Sequence, residues 1–94
     1  MISELNLVSI GEIINFLRNN DSKQFRDKLL TTDELKYLYC RDIKDRQEVW
    51  GQITDPKWAY WYCKDIEDRP EVRKCITKPY WLQKYNKWKK EKTK

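Results

Sequence analysis

The sequence predicts an all-α fold: a small right-handed stack of helix hairpins, an α-solenoid with a 23-residue repeat and about seven short helices. Three observations predict it. First, Tyr37, Tyr39, Cys40, Asp42, Ile43, Asp45, Arg46, Glu48 and Val49 return at one constant interval as Tyr60, Tyr62, Cys63, Asp65, Ile66, Asp68, Arg69, Glu71 and Val72. The register continues through Ile53/Ile76, Thr54/Thr77, Pro56/Pro79, Trp58/Trp81 and Tyr62/Tyr85. Second, helix-start signals recur at the same interval. Third, little of the chain alternates polar with apolar residues and only two glycines occur, so no strand pattern competes. A unit this short cannot bury its own apolar face, and neighbouring units must cover one another.

The expected division of the single 94-residue domain is a degenerate first unit over 1–30, repeats over 31–53 and 54–76, and a closing helix with a basic tail over 77–94. In the first unit, Ser9-Ile10-Gly11-Glu12 has the form of a capping box ahead of Ile13, Ile14, Phe16 and Leu17. Asp21 or Ser22 then caps a short helix carrying Phe25, Leu29 and Leu30. Thr31, Thr54 and Thr77 mark the starts of the three later long helices. In the 54–76 unit, Thr54 or Asp55 caps a helix with Pro56 in its first turn, where a missing N–H costs nothing. That helix runs to about Ile66, with Trp58, Ala59, Tyr62, Cys63 and Ile66 on one face. Leu35, Tyr39, Cys40 and Ile43 form the same face one unit earlier. Asp68-Arg69-Pro70-Glu71 and Asp45-Arg46-Gln47-Glu48 read as capping boxes for a shorter second helix, whose buried edges are Val49/Ile53 and Val72/Ile76. Pro79 to about Lys90 closes the chain with Trp81, Tyr85 and Trp88.

Composition narrows the function classes. Charged residues make up 37% and mean hydropathy is −1.00, yet 13 aromatic residues supply enough apolar surface for a thin core. No segment has the length of a membrane span, and the start of the chain lacks the basic residues of a secretory signal, so a cytoplasmic protein is expected. Net charge is +5, but residues 78–94 hold seven lysines and one acid, leaving the body near neutrality. Electrostatic attraction to an acidic partner or to nucleic acid therefore resides in the C-terminal end or in local patches.

The segment Asp65-Ile66-Glu67-Asp68-Arg69-Pro70-Glu71-Val72-Arg73-Lys74-Cys75-Ile76 resembles the units of leucine-rich-repeat-variant and HEAT-type α-solenoids. Ala59-Tyr60-Trp61-Tyr62 is similar to elements of short tyrosine-rich helical repeats in bacterial and phage proteins. The resemblance spans roughly residues 31–85. HEAT units are nearly twice this length, leucine is scarce here, and Gln47 and Trp50 depart from the motif. It implies stacked helices and a tendency to bind partners.

Nothing in the chain points to catalysis. Asp42, Asp45, Asp65 and Asp68 are assigned to helix caps and ion pairs with Arg46 and Arg69. Histidine is absent, Gly11 and Gly51 are isolated, and Cys40, Cys63 and Cys75 lack metal-ligand spacing. The three cysteines read as reduced, small buried residues. No catalytic residue, metal or cofactor is assigned.

Binding is the remaining class. Drawn at 100° per residue, Tyr60 and Trp61 fall outside the apolar stripe beside Lys57 and Lys64, and Trp50 and Arg73 differ between the units. Lys57, Tyr60, Trp61, Lys64, Trp50 and Arg73 are the candidate partner-binding residues of a non-enzymatic protein-interaction module. A small phage-type inhibitor or adaptor acting on a larger protein, such as a host defence nuclease, has these properties. The alternative is nucleic-acid binding by Lys84, Lys87, Trp88, Lys89, Lys90 and Lys92, where lysines are interleaved with aromatics. A third outcome is self-association through an open end of the stack.

Overall fold

The computed structural model describes residues 9–92, which form seven α-helices and no strand. These are α1 (Ile10–Asn19), α2 (Lys23–Leu29), α3 (Asp33–Asp42), α4 (Gln47–Trp50), α5 (Pro56–Asp65), α6 (Pro70–Arg73) and α7 (Pro79–Lys92). The long helices pack in chain order, α1 on α3, α3 on α5 and α5 on α7, while α2, α4 and α6 fold back on α1, α3 and α5. The envelope measures 48 × 22 × 20 Å.

Local chemistry starts α1, α2 and α5 where the sequence predicts. The Ser9 hydroxyl accepts from the Glu12 N–H at 3.1 Å and Ser22 from the Phe25 N–H at 3.2 Å, each satisfying one of the donors a helix start leaves unpaired. Thr32, rather than Thr31, caps α3, and Asp55 caps α5 ahead of Pro56. The ends of α3 and α5 match closely. Ile43 and Ile66 take nearly identical backbone angles, and their N–H groups return to the Tyr39 and Tyr62 carbonyls.

The short helices correct the capping-box expectation. Arg46 and Arg69, not Asp45 and Asp68, occupy the N-cap positions of α4 and α6, and neither start has a side-chain cap. The two aspartates instead face the following long helix. Asp45 accepts from Tyr62, and Asp68 from Tyr85.

Along the long axis the core is a line of tyrosines and aliphatics. Tyr39 and Tyr62 are completely buried, as are Leu17 and Ala59, with Val49, Ile53, Val72 and Ile76 of the short-helix segments beside them. An aromatic side chain buries about 150–250 Å², which at about 25 cal/mol per Å² is on the order of 4–6 kcal/mol of transfer free energy each. In a domain this small, few such residues carry most of the apolar burial. Ring pairs tie successive long helices: Tyr37 meets Trp58 at 5.4 Å and Tyr60 meets Trp81 at 5.6 Å.

Candidate functional site

The interior acids and arginines are consumed by structure. Four tyrosine hydroxyls donate to carboxylates across helix junctions, Tyr37 to Asp65 and, at the repeat interval, Tyr39 to Asp21 at 2.6 Å, Tyr62 to Asp45 at 2.6 Å and Tyr85 to Asp68 at 2.9 Å. In each of the last three, a cation donates to the phenol oxygen or completes the pair. Arg46 Nε reaches Tyr39 Oη and Arg69 Nε reaches Tyr62 Oη, both at 2.7 Å, while Arg73 reaches Tyr85 at 3.2 Å and Lys89 pairs with Asp68. Burial raises the tyrosine pKa values and the aspartate bonds raise them further, so these phenols stay protonated. Burial opposes ionisation of Asp21 and Asp68, but hydrogen bonds from Tyr39 and Arg26, and from Lys89 and Tyr85, outweigh it and hold both below the usual carboxylate value.

The cysteines are equally quiet. Burial pushes the thiols of Cys40 and Cys63 up to about 12, and Cys75 Sγ donates to the Ile53 carbonyl at 3.4 Å. All three are free thiols, and no group of three or more His, Cys, Asp or Glu residues among the described residues is arranged to hold a metal.

The candidate binding residues divide. Tyr60, expected on an outer face, is 6% exposed and packs between Trp61 and Trp81. Trp50 is also 6% exposed and lies beneath the Arg69 guanidinium, 4.7 Å from its ring centre. A helix with neighbours on both flanks defeats the single-stripe picture that places Tyr60 outside. Arg73 is bound to Tyr85. Lys57, Trp61 and Lys64 do form an outward stripe on α5, with Trp61 half-buried and both lysines exposed. Lys57 lies over Trp58 at 5.0 Å and Lys64 over Trp61 at 4.9 Å.

Of the C-terminal set, Lys84 lies over Tyr80 and Lys92 over Trp88, and Lys89 belongs to the Asp68 pair. Lys90 is exposed on the same helix. Tyr85 between them is 5% exposed, so the C-terminal segment is part of the core as well as of the basic end. Lys87 and Trp88 turn toward α5. There, Tyr60, Lys64, Lys84, Lys87, Trp88 and Glu91 line a groove of about 250 Å³. This groove joins residues from both candidate sets, a convergence that the sequence alone does not reveal. A second, wider hollow of about 820 Å³ between α4 and α6 is lined by Lys44, Arg46, Glu48, Glu71 and the edge of Trp50. Its charges nearly cancel.

No family model matches the chain, and no curated protein or solved structure matches it.

Proposed function

We propose that this protein is a non-enzymatic binding module, a short stack of helix hairpins that docks on the acidic surface of a larger protein through the outer faces of α5 and α7. The stack reading draws support from the chain-order packing of α1, α3, α5 and α7 and from the tyrosine–aspartate bonds, whose donors Tyr39, Tyr62 and Tyr85 follow the interval of the sequence repeat. The observation that carries the docking reading is the division of cations. Arg26, Arg46, Arg69 and Lys89 are paired with acids, whereas Lys57, Lys64, Lys84 and Lys87, like Lys28, Lys44, Lys74 and Lys78 elsewhere on the surface, make no ion pair among the described residues. Of these, Lys57, Lys64, Lys84 and Lys87 share the surface with Trp61 and Tyr80. Cations with aromatic neighbours and no acids of their own suit a partner that brings carboxylates.

Nucleic acid is the second reading, favoured by the gathering of Lys64, Lys84 and Lys87 across two helices. Against base stacking, the rings of Trp58, Trp61, Tyr80 and Trp88 each already carry a lysine of their own helix, between 4.9 and 5.2 Å from the ring centre. A base must displace that cation before it stacks; a carboxylate need only approach it.

Affinity capture from the source cell, with and without nuclease treatment, tests the two. The expected result is a protein band that survives nuclease and is lost when Lys57, Lys64 and Lys84 are changed together to glutamate, with helicity unchanged. Capture that disappears on nuclease treatment favours nucleic acid. A band indifferent to the charge reversal sinks the surface assignment.

A further inference from the structure

The junction of α3 with α5 and the junction of α5 with α7 use the same positions differently. In the first, Tyr37 donates to Asp65 at 2.5 Å, with the Arg41 guanidinium 5.5 Å from the Tyr37 ring centre. Asp33 adds a second carboxylate, accepting from the backbone N–H groups of Thr54 and Asp55 at 3.0 and 2.7 Å. Moving each position on by one repeat turns Tyr37 into Tyr60, Arg41 into Lys64, Asp65 into Trp88 and Asp33 into Pro56. Both carboxylates are gone from the second junction. The phenol and the cation remain.

The consequence is visible in the groove. Tyr60 is 6% exposed and lines the groove, and its hydroxyl makes no hydrogen bond among the described residues, although Tyr37, Tyr39, Tyr62 and Tyr85 all find carboxylates. The ring is enclosed, but the hydroxyl, which is not itself a buried unpaired atom, opens onto the groove as a donor without a protein acceptor. Around it stand Lys64, Lys84 and Lys87, opposed only by Glu91. The volume, about 250 Å³, lies below the roughly 300 Å³ at which small-molecule pockets begin, and it suits an inserted side chain.

We infer that this groove is a carboxylate-binding notch, which receives an Asp or Glu side chain of an acidic peptide segment in the place that Asp65 fills one junction earlier. The Tyr60 hydroxyl donates to the incoming carboxylate, and Lys64 and Lys87 flank it from opposite helices. This rests on the docking reading above and names the feature of the partner that the surface recognises. The peptide is favoured over a nucleic-acid strand because a phenol next to a carboxylate is the pairing the protein already uses four times, and because Lys92 occupies the face of Trp88.

Fluorescence anisotropy with a labelled oligoglutamate peptide at physiological ionic strength tests it, with oligoglutamine as neutral control and oligothymidylate of matched charge as competitor. Oligoglutamate should bind and oligoglutamine should not. Tyr60→Phe keeps the ring and the packing, and should weaken binding about tenfold, the scale of one hydrogen bond to a charged group. Lys64→Gln and Lys87→Gln should each weaken it severalfold, while Lys28→Gln, at an exposed position of α2 outside the docking face, should change it less than twofold. Trp88→Asp, which restores the missing carboxylate, should abolish peptide binding, whereas Trp88→Leu should retain it. Absence of oligoglutamate binding, equal affinity in Tyr60→Phe and Lys28→Gln, or tighter binding of oligothymidylate than of oligoglutamate would each overturn the notch. A protein partner captured through Lys57 and Lys84 but indifferent to Tyr60→Phe would leave the docking face standing and remove the notch alone.

Discussion

The Tyr62 hydroxyl, on a completely buried side chain, donates to Asp45 from 2.6 Å while Arg69 Nε donates to it from 2.7 Å. One phenol thus joins three segments of chain, and Arg69 closes the ring by pairing with Asp45 at 2.9 Å. Tyr62→Phe preserves the ring and the ion pair and removes only the hydroxyl. It should cost about 1–2 kcal/mol. Asp45→Ala strands the phenol proton, leaves the guanidinium only Tyr62 and the more exposed Glu67, and should cost more, about 2–3 kcal/mol. Urea denaturation, read at constant m-value, checks both and their order.

Stability should be level across neutral pH and fall at both extremes. Asp21, Asp42 and Asp68 are held below 3.8 in the folded chain, so the unfolded chain binds more protons in acid. Their contribution is complete above that value and is lost as pH drops through the lower folded values. At the other end, burial raises Tyr37, Tyr39, Tyr62 and Tyr85 above 10.0 and lifts Cys40 and Cys63 from 9.0 to about 12. The folded chain then keeps protons that the unfolded chain releases, and stability declines as pH rises beyond 9.0. Histidine, the side chain whose ordinary charge change falls between about pH 5 and 8, is absent from the sequence. Thermal melts across the pH range should show a broad plateau; a step near about pH 6–7 would contradict it.

The Lys89–Asp68 pair should govern fraying of α7. Asp68 has a side chain only 8% exposed, and Lys89 and Tyr85 reach it from the same helix. Lys89→Met keeps the aliphatic stem and deletes the charge. Hydrogen exchange should then quicken in α7 while α3 keeps its protection, because the lost bond holds the end of the fold rather than its middle.

Thiol reagents should distinguish the cysteines. Cys75 is half-buried, whereas Cys40 and Cys63 are buried with pKa values raised to about 12. Under native conditions one thiol should react first, and Cys75→Ser should remove that phase. The other two should follow only as the protein opens.

The elements legible in the sequence are those whose chemistry is local. Ser9, Ser22 and Asp55 act on N–H groups two or three residues away, so spacing points to Ser9 directly and narrows the other two caps to neighbouring pairs, Asp21 or Ser22 and Thr54 or Asp55. Asp45 and Asp68 carry the same local signature, but each meets a tyrosine 17 residues further on, and a charge-assisted bond to a buried phenol outcompetes an exposed cap. Tyr60 escapes the helical wheel for a related reason. A wheel sees one buried face, and α5 has neighbours on two sides. The groove between α5 and α7 joins residues as distant along the chain as Tyr60 and Glu91. Its one trace in the sequence is the exchange of Asp65 for Trp88 at matching positions.

The tyrosine bonds also give the molecule a direction. In those made by Tyr39, Tyr62 and Tyr85, the acceptor comes from earlier in the chain and the donor from later, so a segment fits behind its predecessor rather than face to face with a copy of itself. Phe16 stands one repeat before Tyr39 and has no hydroxyl to offer, and Lys92 stands one repeat after Arg69 and lies over Trp88 instead. On the stack reading, a duplicate of residues 54–76 spliced in after Ile76 would bring its own acid, phenol and guanidinium, and would lengthen the protein along its 48 Å axis without disturbing either end.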